Sequence, residues 1–268
     1  MSLPDPPHAV YPQNQLEQVI CQVRFPPILK IDAQAPFEFQ DNIRQDYPLY
    51  NTARENPPDL PPHMAAQLPP GSMAMSAADK MNYHFYTEDQ NWSVNLASNF
   101  LALTTKFYPC WLPFRKHLEL PVQVLTEIYH PPFFTRLGLR YINVIRRSSL
   151  GLNDQPWSEL IQAYIAGILA SRDVAVEAVQ KNLTTNELRI GSGQTLVRLV
   201  NGLASDNTTG EQVYLIDLDL YSESRLEIAD ALLRLDEFNH QAWMLFNWCT
   251  TDKLREAMLA PSASNDII

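Results

Sequence analysis

Apolar and polar residues alternate at period two in segment after segment of this chain, and that alternation limits its fold more than any other feature. Successive side chains of a strand point to opposite faces, so a two-residue period describes a sheet with one face packed and the other in water. In the first half, Leu16 to Phe25 (LEQVICQVRF), Met81 to Thr87, Trp92 to Thr105 and Leu137 to Arg147 (LGLRYINVIRR) read as strands. In the second, Val174 to Ile190, Thr195 to Ala204 and Gln212 to Tyr221 read as an antiparallel meander, turned at Gly191, Gly193 and the Ser205 to Gly210 cluster. Helical spacing marks Phe37 to Tyr47, ended by Pro48, and a segment from about Pro109 to Tyr129, interrupted at Pro113 and Pro121. It also marks Pro156 to Ala170 and a final run from Leu226 to Leu259, either one long helix or two consecutive ones, in which Thr250 or Thr251 could cap a second helix near Cys249 to Asp252. The expected class is α+β in two antiparallel sheet-plus-helix halves: residues 1–150 in the ferredoxin-like order β-α-β-β-α-β, residues 151–268 in the order α-β-β-β-α. At 268 residues one continuous domain is equally compatible.

Fourteen of the 21 prolines fall in the first 70 residues. Proline lacks the backbone donor and turns its predecessor away from helix, so residues 1–15 read as an extended arm and Arg54 to Ser76 as a long irregular loop. The Pro58 and Pro61 spacing suits a polyproline-binding partner, although a plain proline-rich linker produces the same pattern.

Thirty acidic residues against 20 basic ones give a net charge of −10, which opposes nucleic acid and anionic membranes. Cys21, Cys110 and Cys249 are too far apart for a Cys-x-x-Cys site and odd in number, which fits a reducing cytoplasm. The N-terminal stretch has neither a basic nor an apolar signal region, and no apolar run approaches the ~20 residues of a membrane helix. No phosphate loop, dinucleotide fingerprint, His-Glu-x-x-His helix or Gly-x-Ser-x-Gly elbow occurs, and the six histidines are scattered singly. Neither metal nor organic cofactor is expected.

Three constellations carry chemistry. Asp217 and Asp219, two apart on a strand, share a face and could hold a divalent cation, or could be the wet side of ordinary alternation. Arg136, Arg140, Arg146 and Arg147 cluster in a stretch without acidic residues, suited to an anion or an acidic partner. Alternation puts Arg140 and Arg146 on one face and Tyr141 and Asn143 on the other. Arg140, inside an apolar strand, is expected to pair with a neighbouring carboxylate, and Arg146 and Arg147 to be exposed. The third is His240, on the aromatic helix DEFNHQAWMLFNWC with Trp243 and Asn247 on its side.

The run Gly138-Leu139-Arg140-Tyr141-Ile142-Asn143, with LEQVICQVRFPPIL, NWSVNLASNFLAL, IDLDLY and HQAWMLFNWCTTDKLREAM, resembles a sporadically distributed prokaryotic family of uncharacterised proteins of about this length. Val19, Phe25, Trp92, Tyr108, Trp111, Phe114, Asp217, Asp219, His240, Phe246, Thr251 and Leu254 support the likeness. The resemblance names no reaction. Its patchy distribution suits mobile toxin-neutralising, immunity or phage-defence loci.

The expected function is therefore a non-catalytic cytoplasmic binding protein that recognises another protein, with a homodimer among the assemblies allowed. The alternatives are a metal-dependent phosphate-ester enzyme using Asp217 and Asp219, and an RNA or anion module built on Arg136 to Arg147. Because Arg54 to Ser76 has no periodic apolar face with which to dock, limited proteolysis of the native protein should cut there first. Initial cleavage elsewhere, read by mass spectrometry, would contradict this reading.

Overall fold

Each alternating run found above contains at least one strand. The computed structural model describes residues 3–54, 81–171, 173–175, 178–179, 181–191, 194–206 and 208–260. The Arg54 to Ser76 loop lies almost wholly outside the described residues. The first half comprises β1 (Leu16–Arg24), α1 (Leu29–Ala33), α2 (Phe37–Ile43), β2 (Leu49–Arg54), β3 (Met81–Tyr86), β4 (Trp92–Ala97), β5 (Phe100–Thr105), α3 (Trp111–Tyr129) and β6 (Arg136–Ile145). The second comprises α4 (Trp157–Leu160), α5 (Ala163–Ala166), β7 (Asn182–Ile190), β8 (Thr195–Ser205), β9 (Gln212–Ser222), α6 (Ala231–Cys249) and α7 (Asp252–Leu259).

The nine strands form one antiparallel sheet in the order β2-β3-β4-β5-β1-β6-β9-β8-β7. This corrects the expectation that each half builds its own sheet. β6 pairs with β1 on one edge, Tyr141 opposite Val19, and with β9 on the other, Tyr141 opposite Leu218. An unpaired edge of so apolar a strand would leave a row of backbone groups without partners, and the two halves satisfy each other's.

The helices that contact the sheet all do so on one face. Phe114 of α3 meets Trp92, Phe39 of α2 meets Phe85, and Asn239 of α6 accepts a hydrogen bond from Tyr141. Val19, Cys21, Val23, Leu139, Tyr141, Leu218 and Leu220 lie on that face, in a single core with the helical Phe114, Phe238 and Leu245.

One sequence expectation changes for a non-local reason. The helix expected from Pro156 to Ala170 is broken into α4, α5 and a 3-10 turn at Gly167–Ala170. Ile161 instead forms a bridge with Thr250, the Gln162 N–H donates to Cys249 O at 3.0 Å, and the Thr251 N–H donates to Leu160 O at 3.0 Å. The break between α6 and α7 falls where expected, and Thr251 Oγ1 accepts from the Leu254 N–H as the cap. β2 occupies Leu49–Arg54, a segment to which the sequence reading assigns no element before the loop, and β7 begins at Asn182 rather than Val174.

α3 runs through both of its prolines. Pro113 stands in the first turn, where its missing N–H has no intrahelical partner to lose. Pro121 is inside the helix and leaves the His117 carbonyl, four residues back, without a donor. The buried Tyr47 hydroxyl supplies one, 3.2 Å from His117 O. It lies equally 3.2 Å from His117 Nδ1. Tyr47→Phe should therefore destabilise the fold by about 1–3 kcal/mol. In a Pro121→Ala background, which restores a backbone donor, the same change should cost markedly less. Equal costs in the two backgrounds, measured by denaturant unfolding, would refute this role for Tyr47.

Candidate binding site

The sequence-derived residues separate onto the two faces of the sheet. On the face that no described helix covers, β6 and β9 place Arg140 directly opposite Asp219 and Ile142 opposite Asp217, and β8 adds Arg198 opposite Asp219. The side chains choose the diagonal. Arg140 Nε donates to Asp217 Oδ1 at 2.8 Å and its Nη2 to Oδ2 at 2.6 Å, a two-pronged pair. Arg136 Nη2 donates to Asp219 Oδ2 at 3.2 Å while its guanidinium covers the Tyr221 ring at 4.9 Å. Arg140 thus has the neighbouring-strand carboxylate that its place in an apolar strand implies.

Burial pushes the Asp219 carboxyl up, and the charges of Arg136 and Arg140 pull it back. On Arg140 the hydrogen bonds to Asp217 favour the charged form more than burial opposes it. Both oxygens of Asp217 are already occupied, so the two aspartates serve as counter-charges to arginine. Among the described residues no group of three or more His, Cys, Asp or Glu side chains is placed to hold a metal ion.

The expectation that Arg146 and Arg147 are exposed is corrected: both are half-buried and engaged. Arg146 donates to Asp206 Oδ2 at 3.0 Å and to Glu17 Oε2 at 3.2 Å. Asp206 is held below the usual carboxylate range first by the Thr208 N–H and then by Arg146. Arg147 lies 4.6 Å from the Trp157 ring and donates to Gln155 O at 2.8 Å. Arg198 and Arg24 are exposed cations that sequence reasoning missed, and the sequence sign of Arg198 was period-two register with Asp219 across the meander turn.

Asn143 and His240 belong to the opposite side. His240 Nε2 is 3.3 Å from Asp5 Oδ1, a contact of α6 with the N-terminal arm. Asn143 points toward the helices and lines a cavity of about 100 Å³ between the sheet, α6 and that arm. Tyr108, Trp111, Asn239 and Trp243 also line it. Tyr141 donates to Asn239 Oδ1 at 2.8 Å, and Tyr108 stands edge-on to the Tyr141 ring at 5.6 Å. Burial raises both phenols well above their ordinary value, so they stay protonated hydrogen-bonding groups. Nothing in local sequence announces this convergence, although Tyr108 and Trp111 are among the residues that carry the family resemblance.

Arg140→Ala would strip Asp217 of both its donors. Because the Asp217 side chain is 10% exposed but that of Arg140 is 43% exposed, the loss should be about 1–3 kcal/mol, below the ~3–5 of a fully buried pair. Adding Asp217→Asn should recover part of it. A melting temperature unmoved by Arg140→Ala would contradict the pairing.

The chain matches no model of a known protein family and no curated protein sequence.

Proposed function

We propose that the protein is a non-catalytic binding protein and that it recognises an acidic segment of another protein on the helix-free face of the sheet. The observation that carries this reading is the sign of what that face presents outward. Asp217 is nearly covered while the Arg140 guanidinium above it is half exposed. Arg24 and Arg198 are exposed on the same face, neither with a carboxylate within 4 Å among the described residues, and Glu187 of β7 is the register partner of Arg198. A chain of net charge −10 thus turns a cationic patch outward from its sheet. Half-buried Ile20, Ile142 and Val200 lie between the arginines and offer an apolar floor, the mixture of arginine and apolar surface favoured at protein interfaces. Arg136 and Arg140 are fixed by their aspartates before any partner arrives, which lowers the ordering cost of association.

Two finer readings accompany this one. The strands β4-β5-β1-β6 read as the ferredoxin-like unit, with β2 and β3 added at its edge. The family resemblance supports a place in a mobile toxin-neutralising, immunity or phage-defence locus, in the cytoplasm. Among the described residues no helix is long and apolar enough to cross a membrane.

The test is fluorescence anisotropy with a labelled deca-glutamate peptide at low and moderate salt. Binding that weakens with salt, and weakens about tenfold further in the Arg24→Glu, Arg198→Glu double variant at unchanged melting temperature, is the expected result. No binding of the peptide, tighter binding of a uridine oligonucleotide, or magnesium-dependent hydrolysis of a phosphate ester by the purified protein would each overturn the reading.

A further inference from the structure

The cavity on the helix side of the sheet is separate from the arginine face and is left over by the reading above. Its chemistry is uniform in one respect: among the described residues no Lys, Arg, Asp or Glu side chain lines it. A charged ligand would lose its water there with no counter-charge in return. The walls are flat and apolar, formed by Tyr11, Trp111, Trp243 and Phe246 with Leu218 beneath.

The polar end is incompletely satisfied in a specific way. Asn143 is only 5% exposed, and its Nδ2 donates to Ile216 O at 3.2 Å. Its Oδ1 has no donor among the described residues. Asn239 is half-buried: its Oδ1 accepts from Tyr141 at 2.8 Å and from Tyr108 at 3.4 Å, and its Nδ2 has no acceptor among the described residues, whereas it is Asn143 whose side chain is deeply covered. One free acceptor and one free donor thus line the same apolar cavity. A polar side chain so deeply buried normally finds a partner, because leaving one unmade forfeits the hydrogen bonds it had in water.

The outer wall is the N-terminal arm. Trp243 Nε1 donates to Pro6 O at 3.1 Å, the His8 ring packs 4.7 Å from the Trp243 ring, and the Gln13 N–H donates to Met258 O at 3.1 Å. Gln13 Nε2 also donates to Ala257 O at 3.2 Å and Ala260 O at 3.1 Å, the Tyr11 ring packs 5.4 Å from that of Trp243, and Asp5 contacts His240 at the surface.

We propose that this pocket binds a small, neutral, planar ligand, a single aromatic or heteroaromatic ring bearing a hydrogen-bond donor beside an acceptor, held under the N-terminal arm. The volume of about 100 Å³ sets the one-ring limit, since an apolar cavity of about 150 Å³ accommodates benzene. The aromatic walls supply stacking, and the two asparagines read the ring edge: Asn143 Oδ1 takes the ligand's donor and Asn239 Nδ2 gives to its acceptor.

The probes are 2-pyridone, which is neutral and carries an N–H next to a C=O, benzene, which has the ring alone, and benzoate, which is charged. Binding is followed by tryptophan fluorescence, since Trp111 and Trp243 line the pocket, and by thermal shift. The expected result is that 2-pyridone quenches the fluorescence and raises the melting temperature, benzene binds more weakly and benzoate not at all. Ala242→Leu, which fills the cavity from α6, should abolish binding while the protein stays folded. Asn239→Leu should weaken 2-pyridone about tenfold and leave benzene unchanged. No response to any neutral ring at millimolar concentration, benzene binding as tightly as 2-pyridone, benzoate binding as tightly as either, or binding unaffected by Ala242→Leu would overturn the proposal.

Discussion

The fold depends on the backbone pairing of one strand. β6 is hydrogen-bonded along both edges, to β1 from the N-terminal half and to β9 from the C-terminal half, and among the described residues it is the only seam through which the two halves share a sheet. Its residues also separate the two chemistries of the molecule. Leu139, Tyr141 and Asn143 enter the core and the aromatic cavity, whereas Arg136 and Arg140 emerge on the helix-free face. A one-residue slip in its register would exchange these sets, placing guanidinium groups among the helices and a tyrosine in water. The register is therefore specified twice over, by apolar burial on one side and by the arginine–aspartate diagonals on the other.

Those diagonals are best understood from the acids rather than the bases. A carboxylate as covered as Asp217 is unfavourable alone, and Arg140 neutralises it while keeping its own cationic edge toward solvent. The arrangement removes negative charge from the surface and leaves positive charge on it. In a chain with ten more acidic than basic residues, this is how a local field of the opposite sign can arise from a few side chains.

What the sequence made legible follows from how local each signal was. Period-two runs located most of the strands, because alternation is written within one segment. The cap at Thr251 was legible for the same reason. The helix expected at Pro156 to Ala170 failed because Ile161 and Gln162 pair with residues near 250, a competition that helical spacing cannot register. Arg146 carried no sign of its partner Asp206, which lies far along the chain. The cavity was the least legible feature. It is assembled from the arm, from Tyr108, from β6 and from α6, and the sequence marks Tyr141, Asn143 and Trp243 only by their places on a strand or helix, and Tyr108, Trp111 and Phe246 only through the family resemblance.

The link from Tyr47 to the His117 carbonyl makes α3 dependent on chain far from it. A helix that lacks one of its own donors at Pro121 cannot be completed by growth along its axis, so its stable form waits for the segment after α2 to dock. Assembly of the N-terminal half is thereby tied to a contact of long sequence separation, the kind that slows folding and makes it more concerted. The segment 111–129, cut out as a peptide, would carry the proline without the hydroxyl that compensates for it.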